Sequence, residues 1–262
     1  MWINTRNLSL AWWWTALVLL AIAVAGCQPS VTPVANITPT LLAVQVTPAL
    51  LRHRPAFNAC ASSANLGLVI DDLPAQALDP GGVDLTLRWG GPGTHQGPAY
   101  QIAREPLVVI VHPSNRQDWT HPAIVQQIYT GEVNAWSSPG DQPVTTPTAK
   151  DSIHPWAYPA GDDAQQAFET TLLAGNPPSS QAVALAPGPD AMLEAVAGDP
   201  AAIGFIPAGW LNDSVKAVEV IEVESGLLDL PVLALSEEEP TGLTLDWLLC
   251  VQAAIEKEAY DN

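Results

Sequence analysis

The residues able to do chemistry are few and poorly grouped. The five histidines, His53, His95, His112, His121 and His154, have neither the spacing of metal ligands nor partner cysteines, so no metal site is expected. No G-x-S-x-G elbow and no phosphate-cradling G-x-x-x-x-G-K-[ST] loop occurs, and no catalytic constellation or cofactor motif is present. Two acidic pairs, Asp71-Asp72 and Asp162-Asp163, are adjacent in the chain and need not converge as a hydrolytic carboxylate pair would. An enzyme is therefore not expected. Of the three cysteines, Cys27 stands apart at the end of an apolar run, leaving Cys60 and Cys250. In an oxidising compartment these two are candidates for a disulfide, the alternative being two buried thiols that pack as small apolar groups.

That compartment is set by the N-terminus. One basic residue, Arg6, precedes an apolar run from Leu8 to Ala25, broken only by Ser9 and Thr15 and ending in Val24-Ala25-Gly26-Cys27. Residues 1–26 read as a signal peptide. The V-A-G-C sequence resembles a bacterial lipobox, whose cysteine takes a diacylglycerol, so Cys27 is the expected lipidation site. The small residues before Cys27 favour this over an uncleaved membrane anchor. Either way the chain is expected on the extracytoplasmic face of a bacterial cell membrane. Residues 27–40, rich in Pro and Thr, form a tether.

The chain carries 27 acidic against 9 basic residues, a formal charge of −18, and loss of Arg6 with the signal makes it −19. Such a field repels nucleic acid and excludes it as a partner. It leaves an anionic solute possible, because buried sites hold anions with helix N-termini and hydroxyls.

The elements that must position any site alternate as strand and helix. Apolar or alternating runs predict strands at Leu41–Thr47, Leu66–Ile70, Val83–Trp89 and Leu107–Val111. Pro48 opens a helical segment in which Pro55 implies a kink or two short helices. A helix led by Pro122 carries the stripe Ile124, Val125, Ile128 and Tyr129 and ends at Gly131. Beyond it come a strand near Ser152–Ala157, a helix from Asp162 to Ala174, a strand at Ala182–Leu185, a helix Pro189–Ala197 and a strand Ala202–Ile206. Val215–Val223 is expected to cross back, followed by a strand at Pro231–Ser236 and a helix Leu243–Ile255.

Two blocks carry a family resemblance. L-V-V-I-V followed by a helix and T-G-x-x-x-x-W (Thr130, Gly131, Trp136), and later A-M-L-E-A-V-A-G-D-P-A-A-I-G-F-I-P (Ala191–Pro207), resemble the phosphate-receptor type of periplasmic substrate-binding protein. The resemblance implies an α/β, two-lobed periplasmic-binding-protein-like (type II) fold: two mixed sheets flanked by helices and joined by two crossing strands. Lobe I is expected at 41–112 plus 216–262, and lobe II at 113–215. It further implies the receptor of an ABC importer, partnered by a permease, carrying a small solute between lobes by hinge closure. A sensor or scaffold lipoprotein on the same fold is the alternative.

The ligand set departs from the family. Where such receptors carry a loop resembling R-E-D-G-S-G-T-R-D-A-F-E, residues 158–169 read Y-P-A-G-D-D-A-Q-Q-A-F-E. Asp162 replaces the Ser, Ala164 the Thr, and Tyr158 and Gln165 the two Arg. The hydroxyl-rich turn after the first strand is reduced to Thr47-Pro48, and Arg88-Trp89-Gly90-Gly91 replaces a Ser-Ser-Arg-like run. Asp162 and Asp163 at a helix start would cap it and repel phosphate by about 4 kcal/mol per like-charge pair at 4 Å. A neutral or cationic solute held by Asp162, Asp163, Tyr158 and Trp89, with Thr47 and Arg88 nearby, is the expectation.

Overall fold

A computed structural model describes residues 40–136 and 152–261. Segment 1–39, with the signal, most of the tether and Cys27, lies outside the described residues. The first strand, β1 (Thr40–Val46), is flanked by parallel β2 (Leu66–Asp72) and β3 (Leu85–Trp89). Between β1 and β2 the two prolines divide the chain: a 3-10 turn, Pro48–His53, and then α1 (Arg54–Ser63), with Pro55 in its first turn where a missing N–H costs nothing.

The strand read as Leu107–Val111 is the second half of a longer one, β4 (Ala99–Val111). Its first half pairs antiparallel with β10 (Asp229–Leu235), which bridges to β3; its second half pairs antiparallel with β8 (Ala202–Pro207). Pro106 sits at this handover. One strand thus belongs to two sheet halves, in the order β2-β1-β3-β10-β4-β8-β6-β7. Here β6 is His154–Ala157 and β7 is Ala184–Leu185, the latter shorter than the expected run.

The expected return strand behaves differently. β9 (Lys216–Val220) pairs with the second half of β4 and with a two-residue strand, β5 (Trp119–Thr120). Its alternating pattern made it a strand without saying which half it would join. The chain crosses back after it, through 221–228, where Glu222 (φ 59°) and Gly226 (φ 81°) are left-handed and Leu107 N–H donates to Leu228 O at 2.7 Å.

Helices cover the sheet. α2 (Pro122–Thr130) buries Val125, Ile128 and Tyr129, and Gly131 at φ 84° closes it with the left-handed cap that a side-chain-bearing residue adopts only with strain. α3 (Asp163–Leu172) is locked by aromatic packing: Phe168 stacks on Phe205 of β8, and Tyr129 and Tyr158 meet these rings edge-on. α4 (Pro189–Gly198) packs on β8, and α5 (Gly242–Asp261) returns to α1. That last contact is covalent. Cys60 of α1 and Cys250 of α5 are bonded, with Cα atoms 5.7 Å apart, and Trp247 Nε1 donates to Phe57 O beside them.

Candidate functional site

The N-terminus of α3 is where the sequence departs from an anion site, and its side chains reach from one sheet half to the other. Gly161 (φ 87°) turns the chain into the helix. Asp162 is the N-cap; its Oδ1 accepts from Ala164 N–H at 2.8 Å and from Gln165 N–H at 3.4 Å, satisfying two of the free amides. Gln165, in place of an Arg in the resembling loop, is turned inward. Its Oε1 accepts from Tyr158 N–H, and its Nε2 donates to Glu169.

Asp163 looks the other way, across to the first half. Its Oδ2 accepts a 3.0 Å hydrogen bond from the backbone N–H of Trp89, at the end of β3. Two further contacts join the same surfaces. Arg88 Nη2 donates to Gln166 Oε1 at 3.4 Å. The Gln76 amide, with its nitrogen turned toward them, donates to the carbonyls of Gly161 and Ala160 at 2.8 and 3.0 Å.

Electrostatics follow from burial. Asp162 and Asp163 are 4% and 1% exposed. Burial, reinforced by the neighbouring Asp163 charge, raises the Asp162 carboxyl from its ordinary 3.8 to about 7 against the pull of its two amides. Burial raises Asp163 as well, opposed by the Thr47 hydroxyl, the Trp89 and Ala164 N–H groups and the Arg88 charge. Thr47 Oγ1 lies near enough for that influence, yet neither it nor Asp163 Oδ1 reaches hydrogen-bond geometry. Arg88, 6% exposed, is lowered by burial and sustained by Asp163.

A backbone N–H from β3 donates to Asp163, and a guanidinium, a hydroxyl and a helix N-terminus lie around it. That is the donor set of an oxyanion site. Here the Trp89 donor is taken by the chain's own Asp163.

The six expected ligand residues are therefore neighbours, with different roles. Thr47, Arg88, Asp162 and Asp163 surround the junction. Trp89 and Tyr158 do not present side chains to a solute, contrary to expectation. Trp89 is fully buried with Nε1 donating to Glu105 O at 2.9 Å, and the Tyr158 hydroxyl donates to Phe205 O at 3.0 Å. Burial, with the nearby acids, pushes the Tyr158 hydroxyl well above its ordinary range. An amphipathic ring whose one polar atom is taken by a backbone carbonyl is a core residue. Gln76 and Gln166 were missed, because an isolated glutamine in a turn or on a helix carries no sequence signal. Arg88 also lines a cavity of about 690 Å³ with Asp79, Thr94, His95 and Glu237. Among the described residues no group of three or more His, Cys, Asp and Glu is placed to hold a metal.

The sequence matches no family model and no curated protein. The structure resembles several solved ones. A phosphate ABC transporter substrate-binding protein with bound phosphate from Clostridium perfringens aligns with TM-score 0.67 at 17% identity, over 84% of this chain and 98% of that one. An ABC-type phosphate transport receptor from Vibrio cholerae aligns with TM-score 0.61 at 16% identity, over 83% and 97%. The OxyR2 regulatory domain from Vibrio vulnificus aligns with TM-score 0.57 at 9% identity, over 82% and 96%. At such identities the likeness is one of fold: the chain has the two-lobed α/β fold of the phosphate ABC transporter substrate-binding proteins.

Proposed function

We propose that this chain is a lipid-anchored, extracytoplasmic solute-binding protein, the receptor of an ABC importer, whose phosphate position has been surrendered to its own side chain. The fold likeness supports a receptor, and Val24-Ala25-Gly26-Cys27 supports the anchor. The observation that carries the loss of phosphate is the Asp163 carboxylate hydrogen-bonded to Trp89 N–H. A second anion brought there would meet two buried acids, and each one that is ionised at about 4 Å costs about 4 kcal/mol, or roughly three decades in affinity. The solute is then neutral or cationic. The adjacent cavity, where Arg88 is flanked by Asp79, Glu237 and Glu238, has the acids to meet it. Lobe I is proposed as 41–112 with the chain after β9, rather than from 216, since β9 pairs in the second half.

A non-transport surface lipoprotein is the second reading. It is favoured by the contacts of Asp163, Arg88 and Gln76 across the junction, which join the two sheet halves through the chain's own groups. Native mass spectrometry of mildly purified protein separates the two: a retained small solute supports the receptor, and its absence together with no associated permease supports the scaffold. Mass spectrometry of the mature N-terminus tests the anchor. A diacylglyceryl-modified Cys27 is expected, and an intact 1–26 segment with unmodified Cys27 would overturn it.

A further inference from the structure

Where β4 passes from one sheet half to the other, a second cavity of about 730 Å³ opens beside it. Its walls come from both halves: the end of the 3-10 turn, the segment after β8, the start of β9 and the last turns of α5. Three polar atoms in that wall are buried and make no hydrogen bond: Arg52 Nε, His53 Nε2 and Glu105 Oε2. His53 and Glu105 are only 4% and 7% exposed. Polar groups in such positions are costly unless something completes them.

Their chemistry specifies what would. His53 Nδ1 lies 2.8 Å from Glu258 Oε2; in the tautomer that donates there, Nε2 presents its lone pair to the cavity. Nε2 is 3.7 Å from Glu105 Oε2. Two acceptors side by side call for a donor with several protons, and an ammonium has three. Glu105 is fixed for this by its other oxygen, which accepts from Gly209 N–H at 2.6 Å.

The opposite charge is equally defined. Lys216 and Arg104 also line the cavity, but each holds a carboxylate of its own, Asp118 at 3.0 Å and Asp229 at 2.6 Å. Arg52, whose guanidinium flanks Gly209 beside the Glu105 carboxylate, has an Nε that makes no hydrogen bond and can take a second carboxylate. Apolar wall is supplied by Leu211 and Ile255.

We propose that this cavity is a binding site for a small zwitterion, a free α-amino acid with an apolar side chain, its ammonium on Glu105 and His53 and its carboxylate on Arg52. The site is separate from the Asp163 junction, so a phosphate titration neither supports nor sinks it.

The test is a melting and calorimetric titration of the full chain in detergent with leucine, valine and phenylalanine. Each is compared with its decarboxylated amine and its deaminated acid. At least one amino acid should bind with a dissociation constant below millimolar, tenfold or more tighter than either half-molecule. Arg52→Gln and Glu105→Gln should each weaken it at least tenfold. Gly209→Ala should do the same without altering charge, because an added methyl collides with the ends of Arg52 and Glu105. Gly209→Ala keeps the proposal exposed if Glu105→Gln fails to fold. No binding by any of the three amino acids overturns the proposal. So does an amine or acid that binds as tightly as the whole molecule, or affinity that survives Arg52→Gln and Gly209→Ala.

Discussion

Asp162→Asn should stabilise the protein above neutral pH, although it removes a charged helix cap. The wild-type carboxyl has a folded pKa near 7 against an ordinary 3.8, because burial and Asp163 disfavour its charge. Between those values the folded chain holds a proton that the unfolded chain has released. Stability therefore falls as pH rises through that window and levels off above about 7. At about 1.4 kcal/mol per pH unit, the deficit approaches 4 kcal/mol at pH 8 and is nearly absent at pH 4. Asparagine caps a helix about as well as aspartate and has no proton to lose. The variant should then melt higher than wild type by up to roughly 10 °C at pH 8, at a few degrees per kcal/mol for a domain of this size. The two should coincide near pH 4. Thermal melts by circular dichroism from pH 4 to 8.5 decide it. A variant less stable at pH 8, or a difference that does not change with pH, would refute the reasoning.

Two further outcomes follow from the packing. Reducing the Cys60–Cys250 bond, which spans 190 residues, should lower unfolding stability by as much as about 5 kcal/mol; urea unfolding with and without reductant measures it, and superimposed curves would contradict it. Trp89→Phe strips the donor from the buried Glu105 carbonyl and should cost about 1–3 kcal/mol without changing solute affinity, so a large affinity loss at unchanged stability would return Trp89 to the binding site.

Much of this architecture is legible in the sequence. The run Leu107–Val111 and the Val125, Ile128, Tyr129 stripe announce a buried strand and its helix through period alone, and two acids before an apolar-periodic stretch mark a capped helix start. The return crossing was harder. β9 alternates as any half-buried strand does, and alternation carries no information about which partner lies beside it. The junction was legible in its parts and not in its wiring. Asp163 meets a backbone N–H 74 residues away in the chain. A main-chain donor has no sequence signature. Trp89 and Tyr158 misled for a related reason, since their rings suit a core or a ligand equally and the deciding partners are backbone carbonyls. The zwitterion cavity joins Arg52, Glu105 and Gly209 from three distant segments, and only the fold brings them together.

The proposed replacement of phosphate by Asp163 is tested most directly by calorimetric titration of inorganic phosphate into unfolded, dialysed and refolded protein at pH 7.5. Binding weaker than millimolar, or no measurable heat, is the result expected of a site already holding its own carboxylate. A micromolar or tighter dissociation constant would show that Asp163 yields to the anion, and would make the chain a phosphate receptor after all.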